Sequence, residues 1–216
     1  MEILNYNPPL NPYLEIVFQD DDIVIFNKPS GLLSVPGKEH ADCLQARAQT
    51  VFPTATIVHR LDMATSGLMV MALNKPAHRH ISKQFELRET AKVYQAIVFD
   101  ILKQDSGVIN LPLICDWPNR PKQIVDHERG KKALTHWRVL ERNANTTRVE
   151  LKPVTGRSHQ LRVHMLSIQH PIIGDTLYAH EQALDMADRL NLHAMFLSLR
   201  HPVTEQTLYF ESKVPF

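Results

Sequence analysis

His59-Arg60-Leu61-Asp62-Met63-Ala64-Thr65-Ser66-Gly67 leads directly into Leu68-Met69-Val70-Met71-Ala72-Leu73. The unbroken apolar run from Gly67 to Leu73 is short enough for a strand buried on both faces, and the Thr-Ser-Gly step before it reads as a turn. A histidine, an arginine and an aspartate within four residues therefore sit on a rigid connection, where a carboxylate is well placed to line a pocket. A turn in which Asp62 accepts from the amides of Thr65, Ser66 or Gly67 would use the same residues, and local sequence by itself favours the turn.

Outward from this strand the chain alternates short apolar runs with turn residues. Leu14 to Phe18 and Ile23 to Phe26 read as strands divided by an Asp-rich turn, and residues 42–52 as a short helix. From Pro76 to Leu87, Ala77, Ile81 and Phe85 recur every four residues, which predicts an amphipathic helix started by the proline. Further strands are predicted at Lys92 to Phe99, Ala133 to Leu140, Thr147 to Lys152, Met195 to Arg200 and Gln206 to Phe210. Ser158 is placed to cap a helix from His159 to Ile168, and another helix is predicted over 180–190. Strands outnumber helices and several are consecutive, so the expected class is α+β around a mixed, mainly antiparallel sheet flanked by helices and loops. With no repeat or linker, residues 1–216 are expected to form one domain, opened by an extended arm over residues 1–13 whose Asn7-Pro8-Pro9-Leu10-Asn11-Pro12 resists regular structure.

Bulk properties narrow the function classes. Cys43 and Cys115 form no CxxC pair, which argues against a disulfide framework or structural zinc. No signal-like start and no run of 18 apolar residues occurs, so a cytoplasmic protein without membrane partners is expected. The formal net charge of +1 hides an asymmetry: residues 1–26 hold five acidic side chains and no Lys or Arg, leaving +6 on the remainder. A basic body suits phosphate binding, and so do the 12 histidines, though many proteins of this size carry such a charge without it. Gly31 to Lys38 has the wrong spacing for a phosphate loop, and His78 and His80 point apart on a helix, so neither a nucleotide cofactor nor a metal is expected.

Two more clusters stand out. In Thr155-Gly156-Arg157-Ser158-His159-Gln160-Leu161-Arg162-Val163-His164, His159 and Arg162 share a helical face while Leu161 points to the core. Arg157, Ser158 and first-turn amides could hold a phosphate, or form an ordinary solvated helix start. His164 reads as a hydrogen-bonded structural histidine. Lys92 and Tyr94 share one face of a strand, offering an aromatic platform beside a cation, or simply a tyrosine packed on a lysine stem.

Taken jointly, these segments resemble the RluA family of pseudouridine synthases. The family's HRLD, two variable residues and TSG are complete from His59 to Gly67. Asn27-Lys28-Pro29-Ser30-Gly31, Lys92-Val93-Tyr94, Gly156 to His164, His170-Pro171-Ile172-Ile173-Gly174-Asp175 and Leu192-His193-Ala194 follow in the family's order. Leu111 to Gln123, with Asp116-Trp117-Pro118-Asn119-Arg120-Pro121-Lys122, and Met63-Ala64 resemble a bacterial member acting on both large-subunit ribosomal RNA and the anticodon stem-loop of certain tRNAs. Residues 124–129 match no signature. The resemblance covers residues 27–194 and implies the pseudouridine synthase fold without an S4 RNA-binding domain. RNA recognition would then fall to the catalytic domain, acting as a monomer on a small stem-loop, with no cofactor and no role on DNA.

By this resemblance Asp62 is the nucleophile, Arg162 its ion-pair partner, and Tyr94 the ring that stacks on uracil and removes the C5 proton. Arg60 would fill the space left by the flipped uridine. His59, Lys28, Lys92, Leu161, Arg157, His159, Arg120 and Lys122 would complete the substrate contacts, with Lys75 and Arg79 as further phosphate candidates. An RNA-binding or RNA-folding module whose catalysis is dispensable stands as the alternative.

Overall fold

The computed structural model describes residues 6–216. In chain order the elements are β1 (Ile16–Gln19), β2 (Ile23–Lys28), α1 (Leu44–Gln49), β3 (Thr56–Ile57), β4 (Ser66–Ala72), α2 (Lys75–Leu87), β5 (Ala91–Phe99), β6 (Ser106–Asn110), β7 (Leu113–Cys115), β8 (Gln123–Val125), β9 (Leu134–Arg142), β10 (Thr146–Pro153), α3 (Gln160–Ser167), α4 (Glu181–Leu184), β11 (Leu192–Arg200) and β12 (Thr207–Glu211). The described residues fall into two compact units, one of residues 6–92 and 194–215, the other of residues 93–193 with Phe216. The pairs β1–β2, β2–β4, β3–β4, β5–β10, β9–β10, β6–β9, β7–β8 and β11–β12 are antiparallel, and the class is α+β as expected. No helix among the described residues is long and apolar enough to cross a membrane.

In the first unit β4 lies against β2 and β3, and all seven of its residues are buried. Burial on both faces explains why it reads as an apolar run rather than an alternation. Leu68, Val70 and Ala72 share one face with Ile23 and Ile25 of β2, and the Ala77–Ile81–Phe85 stripe of α2 closes over them. Asn74 caps α2 by accepting from the Ala77 amide at 2.9 Å, two residues before the proline that marks the start from sequence. Met69 faces the other side of the strand, where its sulfur meets the Ser34 hydroxyl at 3.4 Å.

The second unit is an antiparallel sheet in the order β5-β10-β9-β6 with a separate hairpin, β7–β8. Val163 of α3 packs with Leu113 and Ala133. His164 is fully buried and bonds the Thr135 hydroxyl at 2.9 Å and the Leu111 carbonyl at 3.1 Å, the structural role expected of it.

Two predicted elements are corrected. Ser158 does not cap α3. The capping position is His159, held in the left-handed region at φ 53° with no side-chain cap bond. The Gln160 side chain accepts instead from the Arg157 amide at 3.0 Å and the Thr155 hydroxyl at 2.8 Å. The helix predicted over 180–190 is only the single turn Glu181–Leu184. Residues 1–5 of the predicted N-terminal arm lie outside the described residues. The rest of the arm is anchored by Arg47, whose guanidinium donates to the carbonyls of Pro9 at 2.7 Å and Tyr13 at 3.2 Å.

Gly67, the second residue of β4, has φ 117°, and a Cβ there would lie 2.3 Å from the Ala194 carbonyl oxygen and 2.5 Å from its amide nitrogen. Both neighbours are backbone and cannot swing away. Gly67→Ala therefore combines a left-handed alanine with overpacking, and should lower unfolding stability by at least about 2 kcal/mol, read as a reduced urea midpoint.

Candidate active site

The loop bearing Asp62 is held from behind by the segment that follows β2. Lys28 is fully buried and its ammonium donates to the carbonyls of Leu32 at 2.7 Å, Pro29 at 2.8 Å and Met63 at 3.0 Å. The Gly31 amide also donates to Met63 O at 2.9 Å, and the Ser30 hydroxyl donates to Ala64 O at 2.7 Å. The Ser34 hydroxyl donates to Leu61 O at 2.6 Å and accepts from the Leu61 amide at 3.2 Å. The carbonyl of Asp62 itself accepts from the Thr65 amide at 3.1 Å. The turn anticipated here thus exists and engages the Asp62 backbone, while its side chain stands half-buried beside the exposed Arg60.

Lys28 is a correction to the expected phosphate contacts. Its ammonium donates to three carbonyls inside the fold and so anchors the Asp62 loop. His59, expected among the substrate contacts, is tied to the scaffold through one ring nitrogen. Its Nε2 accepts from the Val70 amide at 3.1 Å, so the ring proton sits on Nδ1, and the ring stacks on Phe85 with centroids 4.5 Å apart. Burial, helped by the charge of nearby Lys92, pushes its pKa from 6.5 down to about 3, which keeps it neutral. The Lys92 ammonium lies 5.5 Å from the centre of the same Phe85 ring, and desolvation lowers its own pKa. Phe85 thus brings His59 and Lys92 together, a meeting that the sequence interval does not reveal.

In the second unit Tyr94 is half-buried on β5 opposite Leu151 of β10. Arg162 is buried on α3 and makes a two-pronged ion pair with Asp175, Nε to Oδ2 at 2.8 Å and Nη2 to Oδ1 at 2.6 Å. Asp175 also accepts from the amides of Leu177 at 2.9 Å and Tyr178 at 3.3 Å, while the guanidinium carbon lies 5.1 Å from the Tyr178 ring centre. Asp175 is not among the residues expected at the site; its signal in the sequence is the Gly174-Asp175 end of the segment from His170. A planar guanidinium gripped along one edge has its orientation set by a carboxylate that is itself fully buried.

The remaining expected contacts separate by burial. Leu161 is buried as a core residue. His159 Nδ1 bonds the Tyr178 hydroxyl at 2.7 Å, and that hydroxyl accepts from the Gln123 amide at 2.7 Å, joining α3 to the β7–β8 hairpin. At the hairpin's tip the exposed Arg120 guanidinium stacks 4.6 Å from the Trp117 ring centre, with half-buried Lys122 nearby in the chain. Arg157 is exposed and donates to Lys132 O at 3.1 Å.

Among the described residues Asp20, Asp22 and His201 form the one grouping with metal-ligand potential. His201 Nδ1 accepts from the Val203 amide at 3.2 Å and the Thr204 amide at 3.1 Å, which leaves Nε2 protonated to donate to Asp20 at 2.9 Å. With both ring nitrogens so engaged, the group serves as a hydrogen-bonded corner between β1–β2 and the chain after β11.

A family model described as RNA pseudouridylate synthase matches residues 22–167. The chain is 56% identical over 200 residues to the dual-specificity RNA pseudouridine synthase RluA of Escherichia coli strain K12, covering 91% of each protein. It is 54% identical over 197 residues to the protein of the same name from Haemophilus influenzae, covering 90% of each. Among solved structures it is similar to human RNA Pseudouridylate Synthase Domain Containing 1, with a TM-score of 0.79 and 28% identity over 94% of this chain and 84% of that one.

Two expected outcomes follow from these environments. Neutral in the fold but protonated below 6.5 when unfolded, His59 favours the unfolded chain as pH falls, so stability declines from pH 6.5 towards 3. His193, pushed down to about 4 by burial and the charge of Arg189, acts in the same direction. His59→Gln should flatten that decline, measured as the change in urea midpoint between neutral and mildly acidic buffer. Asp175→Ala removes the two-pronged carboxylate partner of a buried guanidinium and should cost about 3–5 kcal/mol in the same assay at neutral pH.

Proposed function

The chain belongs to the RNA pseudouridylate synthase family, and we propose that it isomerises uridine to pseudouridine in ribosomal RNA and in tRNA anticodon stem-loops, acting as a cytoplasmic monomer. The observation that carries the reading is the carboxylate of Asp62 on a loop whose flanking carbonyls are individually tied down, within a complete family motif. The double substrate class rests on the identity to proteins named for dual specificity.

The reaction breaks the bond from uracil N1 to C1′ of the ribose, turns the base and rejoins it through C5. The proton on C5 is lost and one is gained at N1, so the product has the mass of the substrate. Attack on C1′ and attack on C6 both require an ionised, immobile carboxylate, which is the role assigned to Asp62. Arg162, oriented by Asp175, is assigned the role of ion-pair partner to the nucleophile. Tyr94 stacks on the extruded base and receives the C5 proton. Arg60, exposed next to Asp62, occupies the gap left in the RNA stack. Arg120, Lys122 and Arg157 contribute phosphate contacts, which makes affinity fall steeply with salt.

The test is purified protein incubated with unmodified anticodon stem-loop and large-subunit ribosomal RNA, followed by mapping of pseudouridine. Conversion should fall by about 10⁴-fold in Asp62→Asn while RNA affinity stays near that of the unaltered protein. RNA carrying 5-fluorouridine, whose C5 has no proton to lose, should stall the unaltered protein and not Asp62→Ala. Retention of turnover by Asp62→Asn, or release of free uracil, would overturn the proposal.

A further inference from the structure

The hydrogen bonds around Asp62 differ in redundancy. Met63 O has two donors, the Lys28 ammonium and the Gly31 amide, and Ala64 O has the Ser30 hydroxyl. Leu61, the residue immediately before the nucleophile, has both its amide and its carbonyl satisfied by one atom, Oγ of Ser34. Leu61 is 7% exposed and Ser34 is 4% exposed, so water is in no position to replace that hydroxyl.

We infer that Ser34 is the positioning residue for Asp62. The peptide plane entering Asp62 contains the Leu61 carbonyl, held at 2.6 Å by Ser34; the plane leaving it contains the Asp62 carbonyl, held at 3.1 Å by the Thr65 amide. Fixing both planes fixes the backbone dihedrals of Asp62 and hence the direction of its Cα–Cβ bond. The carboxylate lies at the end of a short lever from that bond, so a rotation of the entering plane moves it bodily. Misplacement of a reacting group by about 1 Å costs on the order of 10²-fold in rate.

Ser34 is in turn held from the outside. The Leu33 carbonyl accepts from the Leu44 amide at 2.8 Å at the start of α1, and the Leu33 amide donates at 3.0 Å to the hydroxyl of Tyr6, which itself donates to Asp42 O at 2.8 Å. Arg47 grips the Asp42 carboxylate through both oxygens at 2.7 Å and reaches the arm at Pro9 and Tyr13. The arm that precedes the sheet is therefore the outermost link of a chain running from Tyr6 through Leu33, Ser34 and Leu61 to the nucleophile.

This inference rests on Asp62 being the nucleophile, and the experiment separates the two. Single-turnover conversion of a uridine stem-loop, followed by tritium release from C5-labelled RNA, is compared for the unaltered protein, Ser34→Ala, Ser34→Thr and Ile81→Val. The last trims a buried core side chain on α2 in the cluster of Leu68 and Val70, and serves as a stability control at a temperature where all four are folded. Ser34→Ala should lose about 10²-fold in rate with RNA affinity unchanged, Ser34→Thr should restore most of it by returning the hydroxyl, and Ile81→Val should stay near the unaltered rate. A Ser34→Ala rate within about threefold of the unaltered protein, or an equal loss in Ile81→Val, would overturn the positioning role. No tritium release from the unaltered protein would instead remove the functional reading beneath it. Tyr6→Phe, which deletes the outer link alone, should show a smaller fall in rate of the same kind; no fall would sever the arm from the chain of contacts.

Discussion

The ammonium of Lys28 is sealed from water and ends against the carbonyl oxygens of Pro29, Leu32 and Met63. Removing such an ion from water costs several kcal/mol, and only a full set of charge-assisted hydrogen bonds offsets it. Those bonds form only when the segment after β2 and the loop before β4 are both in place, so the charge acts as a condition on how the two meet. Ser30, Gly31 and Ser34 then add the remaining hydrogen bonds, and the loop that carries Asp62 is left with little freedom. The surrounding strands supply the fixed ends: β2 and β4 are adjacent, antiparallel and buried, which sets where the two segments begin.

The second unit solves a similar problem with a different pair of groups. Arg162 would be costly to bury alone, but Asp175 presents both carboxylate oxygens to it while two amides hold the carboxylate in turn. The guanidinium is thereby given one orientation. Around Phe85 burial acts the other way, lowering the pKa of Lys92 and taking that of His59 down to about 3.

The corrections share a cause. Lys28 is the one basic residue of Asn27-Lys28-Pro29-Ser30-Gly31, and a basic residue in a motif reads from sequence as a ligand contact. Burial reverses that reading, because a buried cation must spend its donors inside the protein, and no local pattern reports burial for a lysine between Asn27 and Pro29. Ser158 looked like a helix cap because it precedes an apolar-periodic stretch. The left-handed turn at His159 and the side chain of Gln160 displaced it, a competition between neighbours that propensity does not encode.

From sequence alone one could read the class of fold, the buried strand β4, the stripe of α2 and the aspartate at the centre of the motif from His59 to Gly67. Each of these is written in adjacent or periodic residues, where local spacing and side-chain chemistry decide the outcome. Only the tertiary structure decided that Lys28 turns inward, that Arg162 meets Asp175 and that one serine bridges both polar groups of Leu61. These pairings join residues separated by 35, 13 and 27 positions. What selects them is the requirement that every polar group taken out of water find a partner, and that requirement acts through space rather than along the chain.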